Sequence, residues 1–217
     1  MSGAALLAWT LVALLGVVTP GADTMLVLRH TLLGGRRAGL GAVVGIALGC
    51  LTWATASLAG LTALLAASHV AYNIVRVVGA AYLIWLGGSA IWRTLPRNRR
   101  ASDGAVALPR PVDTAAARGT WAAMRAGAVT NLLNPKVGVF YISLLPQFIP
   151  TGPSATAWGA LLVAIHLAAT FLWYPPLVWA ATKVRTYLLR GHVRRWMDRI
   201  TATVLIALGV TLVAQTR

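Results

Sequence analysis

The sequence contains no glutamate and only four aspartates, Asp23, Asp103, Asp113 and Asp198. That scarcity argues against two carboxylates flanking a scissile bond and against a carboxylate-rich metal site. Cys50 is the only cysteine, so no disulfide framework exists, and His30, His69, His166 and His192 are too far apart to give a zinc-ligand spacing. A Gly-rich loop ending in Lys-Ser or Lys-Thr is also lacking, which disfavours an ATP-driven pump. Charged residues make up 11% of the chain, against roughly 25% in soluble domains. A water-soluble globule is therefore a poor description, and neither a metal nor an organic cofactor is expected.

What the chain has instead is apolar length. Of its 217 residues 58% are apolar before the 21 glycines are counted. Six spans of ~20 residues would occupy roughly 120 residues, which fits this share. The charge balance is lopsided, with 19 Lys and Arg and a formal net charge of +15. A nucleic-acid partner would need a basic face on a soluble domain, and none can be built here. Basic loops facing anionic lipids on the cytoplasmic side explain the same charge. No basic residue precedes Arg29, and the apolar stretch from Ala5 to Leu28 is too long for a signal-peptide core, so it reads as a retained first span.

Gly, Pro and Arg clusters divide the chain into apolar stretches at about 5–28, 39–66, 71–92, 121–149, 155–181 and 198–216. If spans alternate, the first, third and fifth connections share one side. They carry Arg29, Arg36 and Arg37, then seven arginines from Arg93 to Arg125, then six basic residues from Lys183 to Arg199. That leaves only Arg76, Lys136 and Arg217 elsewhere. The positive-inside rule makes this side cytoplasmic and places both termini outside. The expected organisation is an all-α integral membrane protein: a three-helix repeat over 1–92, a basic cytoplasmic linker over 93–119, and a second three-helix repeat over 120–217. Three spans per half insert the second half upside down relative to the first.

The first span of each half is interrupted. Thr19-Pro20-Gly21-Ala22-Asp23 breaks one and Asn134-Pro135-Lys136 breaks the other. Thr or Asn before Pro has the form of a helix N-cap followed by the first helical position. Both helices are thus expected to stop and restart inside the membrane, where freed backbone groups are tolerated only in protein or beside a watery cavity. At ~1.5 Å per residue, Pro20 lies roughly 12 Å from the cytoplasmic end of its span, and Pro135 lies in the middle of its own. The two breaks are expected to meet near the midplane and form one central site.

At these residues the sequence resembles the LysE/RhtB family of amino-acid exporters. The resemblance runs through Thr19 to Arg29 with the following Gly35-Arg36-Arg37-Ala38-Gly39, through Gly79-Ala80-Ala81-Tyr82-Leu83-Ile84-Trp85-Leu86-Gly87, and through Asn131 to Lys136 on to Leu145-Pro146-Gln147-Phe148. One departure is Ala22, which stands where the family's first break usually has a second proline after Pro-Gly. The resemblance implies export of amino acids or similar small metabolites across the plasma membrane in exchange for protons.

Asp23 is the one acid inside an apolar span, and an ionisable residue there is a functional candidate because burying it is expensive. It is expected to hold the substrate ammonium and to release it on protonation; complementing the dipole of the restarted half-helix is the plainer role. Lys136 either pairs with Asp23 or meets the substrate carboxylate. The backbone after Pro20, Gly21 and Pro135 adds anion-binding amides, and Asn131 and Asn134 offer polar groups at the same level. Tyr141, about a turn beyond Pro135, is a candidate for lining the site. His166, mid-way along the fifth span, titrates near neutrality when unperturbed; proton coupling and a purely structural hydrogen bond are its two readings. His30 and His192 fall in basic loops and carry no assignment. Gly41, Gly45 and Gly49 form a smooth strip, for packing within the fold or for a homodimer seam. Trp53, Trp85, Trp92, Trp158, Trp173 and Trp179 read as interface belt or packing.

A secondary exporter with alternating access is the function expected, and an enzyme is not. An integral-membrane lipid-modifying enzyme would need a nucleophile–base or metal constellation, which the scattered histidines and missing glutamate argue against. A passive channel would conduct downhill without protons. A dibasic substrate calls for a second carboxylate within a span, so neutral amino acids are preferred.

Overall fold

The computed structural model describes residues 2–67, 119–150 and 152–181, with isolated positions between 74 and 92 and between 183 and 210. The basic linker over 93–118 and most of the third and sixth expected spans lie outside the described residues. Every regular element among the described residues is helical.

Helix α1, Gly3–Val18, opens with the Ser2 hydroxyl accepting from the Ala5 amide and is apolar throughout. It buries Trp9, Val12, Ala13 and Val17 while Leu7 and Leu11 stay exposed. Apolar residues on all sides suit a helix surrounded by protein and lipid rather than water. Thr19 ends α1: its amide and its hydroxyl both donate to the Leu15 carbonyl, at 3.1 and 2.6 Å. Helix α2, Ala22–Ala67, begins only after Pro20 and Gly21, with Met25 donating to the Gly21 carbonyl. The expectation that Thr19 caps the second piece is therefore corrected. Thr19 closes the first piece because its hydroxyl finds a carbonyl four residues back, and Pro20, having no N–H, cannot extend the ladder.

α2 is two arms joined at Gly35, whose φ of 75° and ψ of −177° leave helical geometry. Glycine adopts that conformation without a side-chain clash. A side chain on Gly39 would collide with the Thr31 hydroxyl, whereas residues eight apart in a straight helix lie ~12 Å from each other. The chain therefore turns at Gly35. The first arm runs to residue 34, beyond the expected end at Leu28, so Arg29 and His30 belong to a helix and His30 is buried rather than in a loop. This extension also puts the Thr19–Gly21 break near the middle of the combined α1 and first arm.

The second break falls where the sequence places it. Helix α3, Thr120–Leu132, stops, and α4, Pro135–Val139, restarts with the Asn134 side chain accepting from the Lys136 amide at 3.1 Å. Asn134 as cap with proline at the first helical position is a favoured start. α4 continues through a π-helical segment, Phe140–Leu144, into α5, Leu145–Phe148. Helix α6, Ala155–Trp179, carries Pro175 and Pro176 inside it.

Packing fixes the directions of these helices. Gly41 lies against Thr120, Gly45 against Met124 and Ala128, and Gly49 against Asn131, while Gly127 lies against Ala42 and Ile46. The second arm of α2 and α3 thus run parallel at close approach, and the glycine strip is used within the chain. α6 runs opposite to that arm, since Val178 meets Gly39 and Gly159 meets Leu58. α1 lies beside α6, with the buried Trp9 Nε1 donating to the Leu162 carbonyl at 2.8 Å. The Gly35 turn, the start of α3 and the end of α6 gather at one end, where the Arg36 guanidinium stacks 4.0 Å from the Trp179 ring centre. Away from the glycine strip, Leu40, Val44, Leu48 and Leu51 form an exposed apolar stripe. Two stretches, Ala22–Gly60 and Ala155–Trp179, are long and apolar enough to cross a membrane.

The π-helical segment ends just before Pro146. Within it the Leu145 amide donates to Phe140, five residues back. The Tyr141 carbonyl would next receive the amide of residue 146, but proline has none. The Ser57 hydroxyl of α2 donates to that carbonyl instead, at 2.6 Å and buried. Leaving a buried carbonyl unpaired costs about 1–3 kcal/mol. Ser57→Ala is therefore expected to lower stability by about that amount, measured by thermal unfolding in detergent, whereas exposed Ser154→Ala leaves it unchanged.

Candidate functional site

The two breaks meet. Pro20 deprives the Gly16 carbonyl of the amide it would receive in an unbroken helix. The Lys136 ammonium, from the second break, donates to that carbonyl at 2.9 Å and to the Thr19 carbonyl at 3.5 Å. A cation there also faces the negative end of α1. Asp23 occupies the first turn of α2, the positive end of its helix. Asn131, in the last turn of α3, donates from Nδ2 to Asp23 Oδ2 at 2.9 Å, with the Cys50 sulfur 3.5 Å from the same nitrogen. Each break thus places one charge near a helix end that favours it, and each charge is tied to the other half of the chain.

Between them lies a cavity with about 50 Å³ open to water, room for a few molecules. Of the residues singled out from sequence, Gly21, Asp23, Asn131, Asn134, Lys136 and His166 line it. Pro20 and Pro135 do not; they set the breaks that open it. Nor does Tyr141, which is fully buried behind it. Its hydroxyl lies 2.7 Å from His166 Nδ1, and the Phe140 ring packs 4.7 Å from the imidazole. His166 is therefore hydrogen-bonded and also reaches the cavity, so its two sequence readings are not mutually exclusive.

Thr24, Cys50, Thr170 and Tyr174, assigned no binding role from sequence, also line the cavity. His166, Thr170 and Tyr174 recur every four residues on α6, a spacing that puts three polar side chains on one helix face. That pattern was available in an otherwise apolar stretch. Thr24 directly follows Asp23 and was overshadowed by it. Among the described residues no cluster of three His, Cys, Asp or Glu could hold a metal ion.

Comparisons with known proteins find a family and relatives. Residues 14–216 match the profile of the LysE type translocator family. The chain is 28% identical over 205 residues to the uncharacterized membrane protein YrhP of Bacillus subtilis (strain 168), covering 94% of this chain and 96% of that one. It is 32% identical over 183 residues to the leucine efflux protein of Enterobacter sp. (strain 638), covering 83% and 82%. The threonine efflux protein of Escherichia coli (strain K12) is 26% identical over 206 residues, covering 94% of each. No solved structure matches.

Glycine at position 49 lets Asn131 reach Asp23. A methyl there would lie 2.6 Å from Asn131 Oδ1 and 2.8 Å from its Cβ. Gly49→Ala should force Asn131 off the carboxylate and lower stability by about 1–3 kcal/mol. Gly60→Ala, where an added methyl meets nothing within 4 Å, is the control expected to unfold no earlier than the parent in the same thermal assay, alanine being the better helix former.

Proposed function

The chain belongs to the LysE type translocator family, and from that premise we propose that it exports neutral amino acids across the plasma membrane by proton antiport. The observation that carries this reading is the presence of Asp23 and Lys136, drawn from the two broken helices, in the lining of one cavity. An amino acid carries one ammonium and one carboxylate, and this site offers a carboxylate and an ammonium. The relatives named for leucine and threonine efflux support small neutral substrates, as does the lack of a second acid in the interior of any expected span.

The proposed architecture is six transmembrane helices in two inverted repeats, 1–92 and 120–217, joined by the basic linker 93–119. The observed helix directions support it: α1 with the first arm and α6 run one way, and the second arm with α3 runs the other. The end bearing Arg36 and Arg37 faces the cytoplasm and anionic lipid headgroups in this arrangement, with both termini outside.

Export then proceeds as an exchange. In the cytoplasm-facing state the substrate ammonium binds Asp23 while its carboxylate draws Lys136 away from the Gly16 and Thr19 carbonyls. The halves rock about the site, and a proton from outside neutralises Asp23 and releases the ammonium. Asp23 carries either a proton or a substrate, so the return step brings the proton inward. His166, in hydrogen-bond contact with Tyr141 at the cavity wall, is the second group able to pass that proton.

Proteoliposomes loaded with labelled leucine or threonine and given a pH gradient test this reading. Gradient-stimulated efflux is expected from the parent. Asp23→Asn should reduce it at least about 100-fold while inserting normally, since it removes the charge the exchange turns on. Full efflux by that variant, or efflux indifferent to the gradient as in a passive channel, would contradict the proposal.

A further inference from the structure

Beyond the cavity, on the side away from Arg36, α1, α6 and the α4–α5 segment converge on one buried layer. On α1, Trp9 lies about two turns before Gly16, which lines the cavity. On α6, Leu162 lies about one turn before His166, another lining residue. Phe140 lies about one turn after Lys136, and Phe148 about two turns further on. The Trp9 ring packs 5.0 Å from Phe140 and 5.3 Å from Phe148, centre to centre. Its Nε1 donates to the Leu162 carbonyl at 2.8 Å, and both residues are fully buried. Phe140 belongs to both places, since it lines the cavity and touches Trp9. The layer therefore abuts the cavity on that side.

This layer is a seam: Trp9 comes from the first half of the chain, and Phe140, Phe148 and Leu162 from the second. Its one hydrogen bond differs from the others that join the halves. The Lys136 ammonium and the Ser57 hydroxyl each satisfy a carbonyl that a proline has freed, so breaking either bond orphans a buried acceptor. The Leu162 carbonyl stands inside α6, where the amide four residues on supplies its helical bond, and a carbonyl has two lone pairs. Parting from Trp9 leaves it paired, and the indole N–H needs only the water that enters with the opening. α1 meets this layer through side chains, whereas the second arm of α2 meets α3 backbone to backbone. The seam at Trp9 is thus the one that parts at least cost.

We propose that Trp9, Phe140 and Phe148 form the outer gate of the carrier, with the bond from Trp9 Nε1 to the Leu162 carbonyl as its latch. The inference rests on the proposed export by alternating access and adds the residues that bar the outer exit. Cargo is linked to the latch along α1. When a substrate carboxylate draws Lys136 from the Gly16 and Thr19 carbonyls, the inner end of α1 is released while Trp9 holds its outer part against α6. Water entering between Trp9 and the two phenylalanine rings then frees that part, and the cavity opens outward.

Cys50 is the only cysteine and lines the cavity, so the full chain reports its own opening. A membrane-impermeant cationic methanethiosulfonate, too bulky for the closed cavity, is applied to right-side-out and to inside-out membrane vesicles, and the rate of Cys50 modification is measured. Trp9→Phe, which removes the N–H and keeps an aromatic ring, is expected to speed modification from the outside at least about tenfold, the scale of one buried hydrogen bond. No increase is expected from the inside. Phe148→Leu, which leaves the latch in place and removes one ring contact, should speed outside modification about threefold. Trp121→Phe, the same change at an exposed site, should leave the rate unchanged. Unchanged outside modification in both gate variants would overturn the proposal, as would equal acceleration from both faces, the mark of a loosened fold. Acceleration from the inside alone would overturn the outward placement. Leucine export by the parent is followed in parallel as uptake into the inside-out vesicles. Its absence would count against the export reading whatever the Cys50 rates, and unchanged Cys50 rates beside normal export would strike the gate alone.

Discussion

A backbone carbonyl that loses its amide partner inside an apolar bundle must find another donor, and this fold is arranged around that demand. Pro20 frees the Gly16 carbonyl and Lys136 takes it; Pro146 frees the Tyr141 carbonyl and Ser57 takes it. In both cases the donor comes from the opposite half of the chain. The prolines therefore do more than interrupt helices: each creates a polar point that only the other half can satisfy. The halves are held together at the places where their helices are broken, and the cavity lies there for the same reason.

Close approach of the helices makes those bonds reachable. The second arm of α2 lies so tightly on α3 that backbone meets backbone at Gly41, Gly45 and Gly127. Lys136 and Asp23 each sit at a helix end of matching polarity. Both charges are thereby tolerated in the apolar interior through partners that a zwitterion could replace. A substrate carboxylate can stand in for the Gly16 and Thr19 carbonyls at Lys136, and a substrate ammonium can join Asn131 at Asp23. Under the proposed function, binding exchanges bonds within the protein for equivalent bonds to the cargo, and the contact between halves changes with occupancy.

Much of this was legible in the sequence, and the misreadings have physical causes. Asn134-Pro135 could be placed because a short polar cap followed by proline allows one helix start. Thr19-Pro20 looked the same but was not, because a threonine hydroxyl can turn back to the carbonyl four residues earlier and finish the preceding helix. Arg29 and His30 suggested a loop, yet the helix continues through them to Gly35, where backbone geometry rather than polarity ends it. Ser57 could not be linked to Tyr141, 84 positions away, because only the π-helical register shows which carbonyl Pro146 leaves open. The three-residue polar face of α6 was present in the spacing and was hidden by attention to His166 alone.

The dependence of one half on the other can be measured directly with a double-mutant cycle between Pro20→Ala and Lys136→Met. Alanine at position 20 returns an amide to the Gly16 carbonyl, so that carbonyl no longer needs the Lys136 ammonium. The loss of thermal stability from Lys136→Met should then be clearly smaller in the Pro20→Ala background than in the parent, with a coupling of at least about 1 kcal/mol. Equal losses in both backgrounds would contradict the claim that the broken helices hold the halves together through the carbonyl that proline sets free.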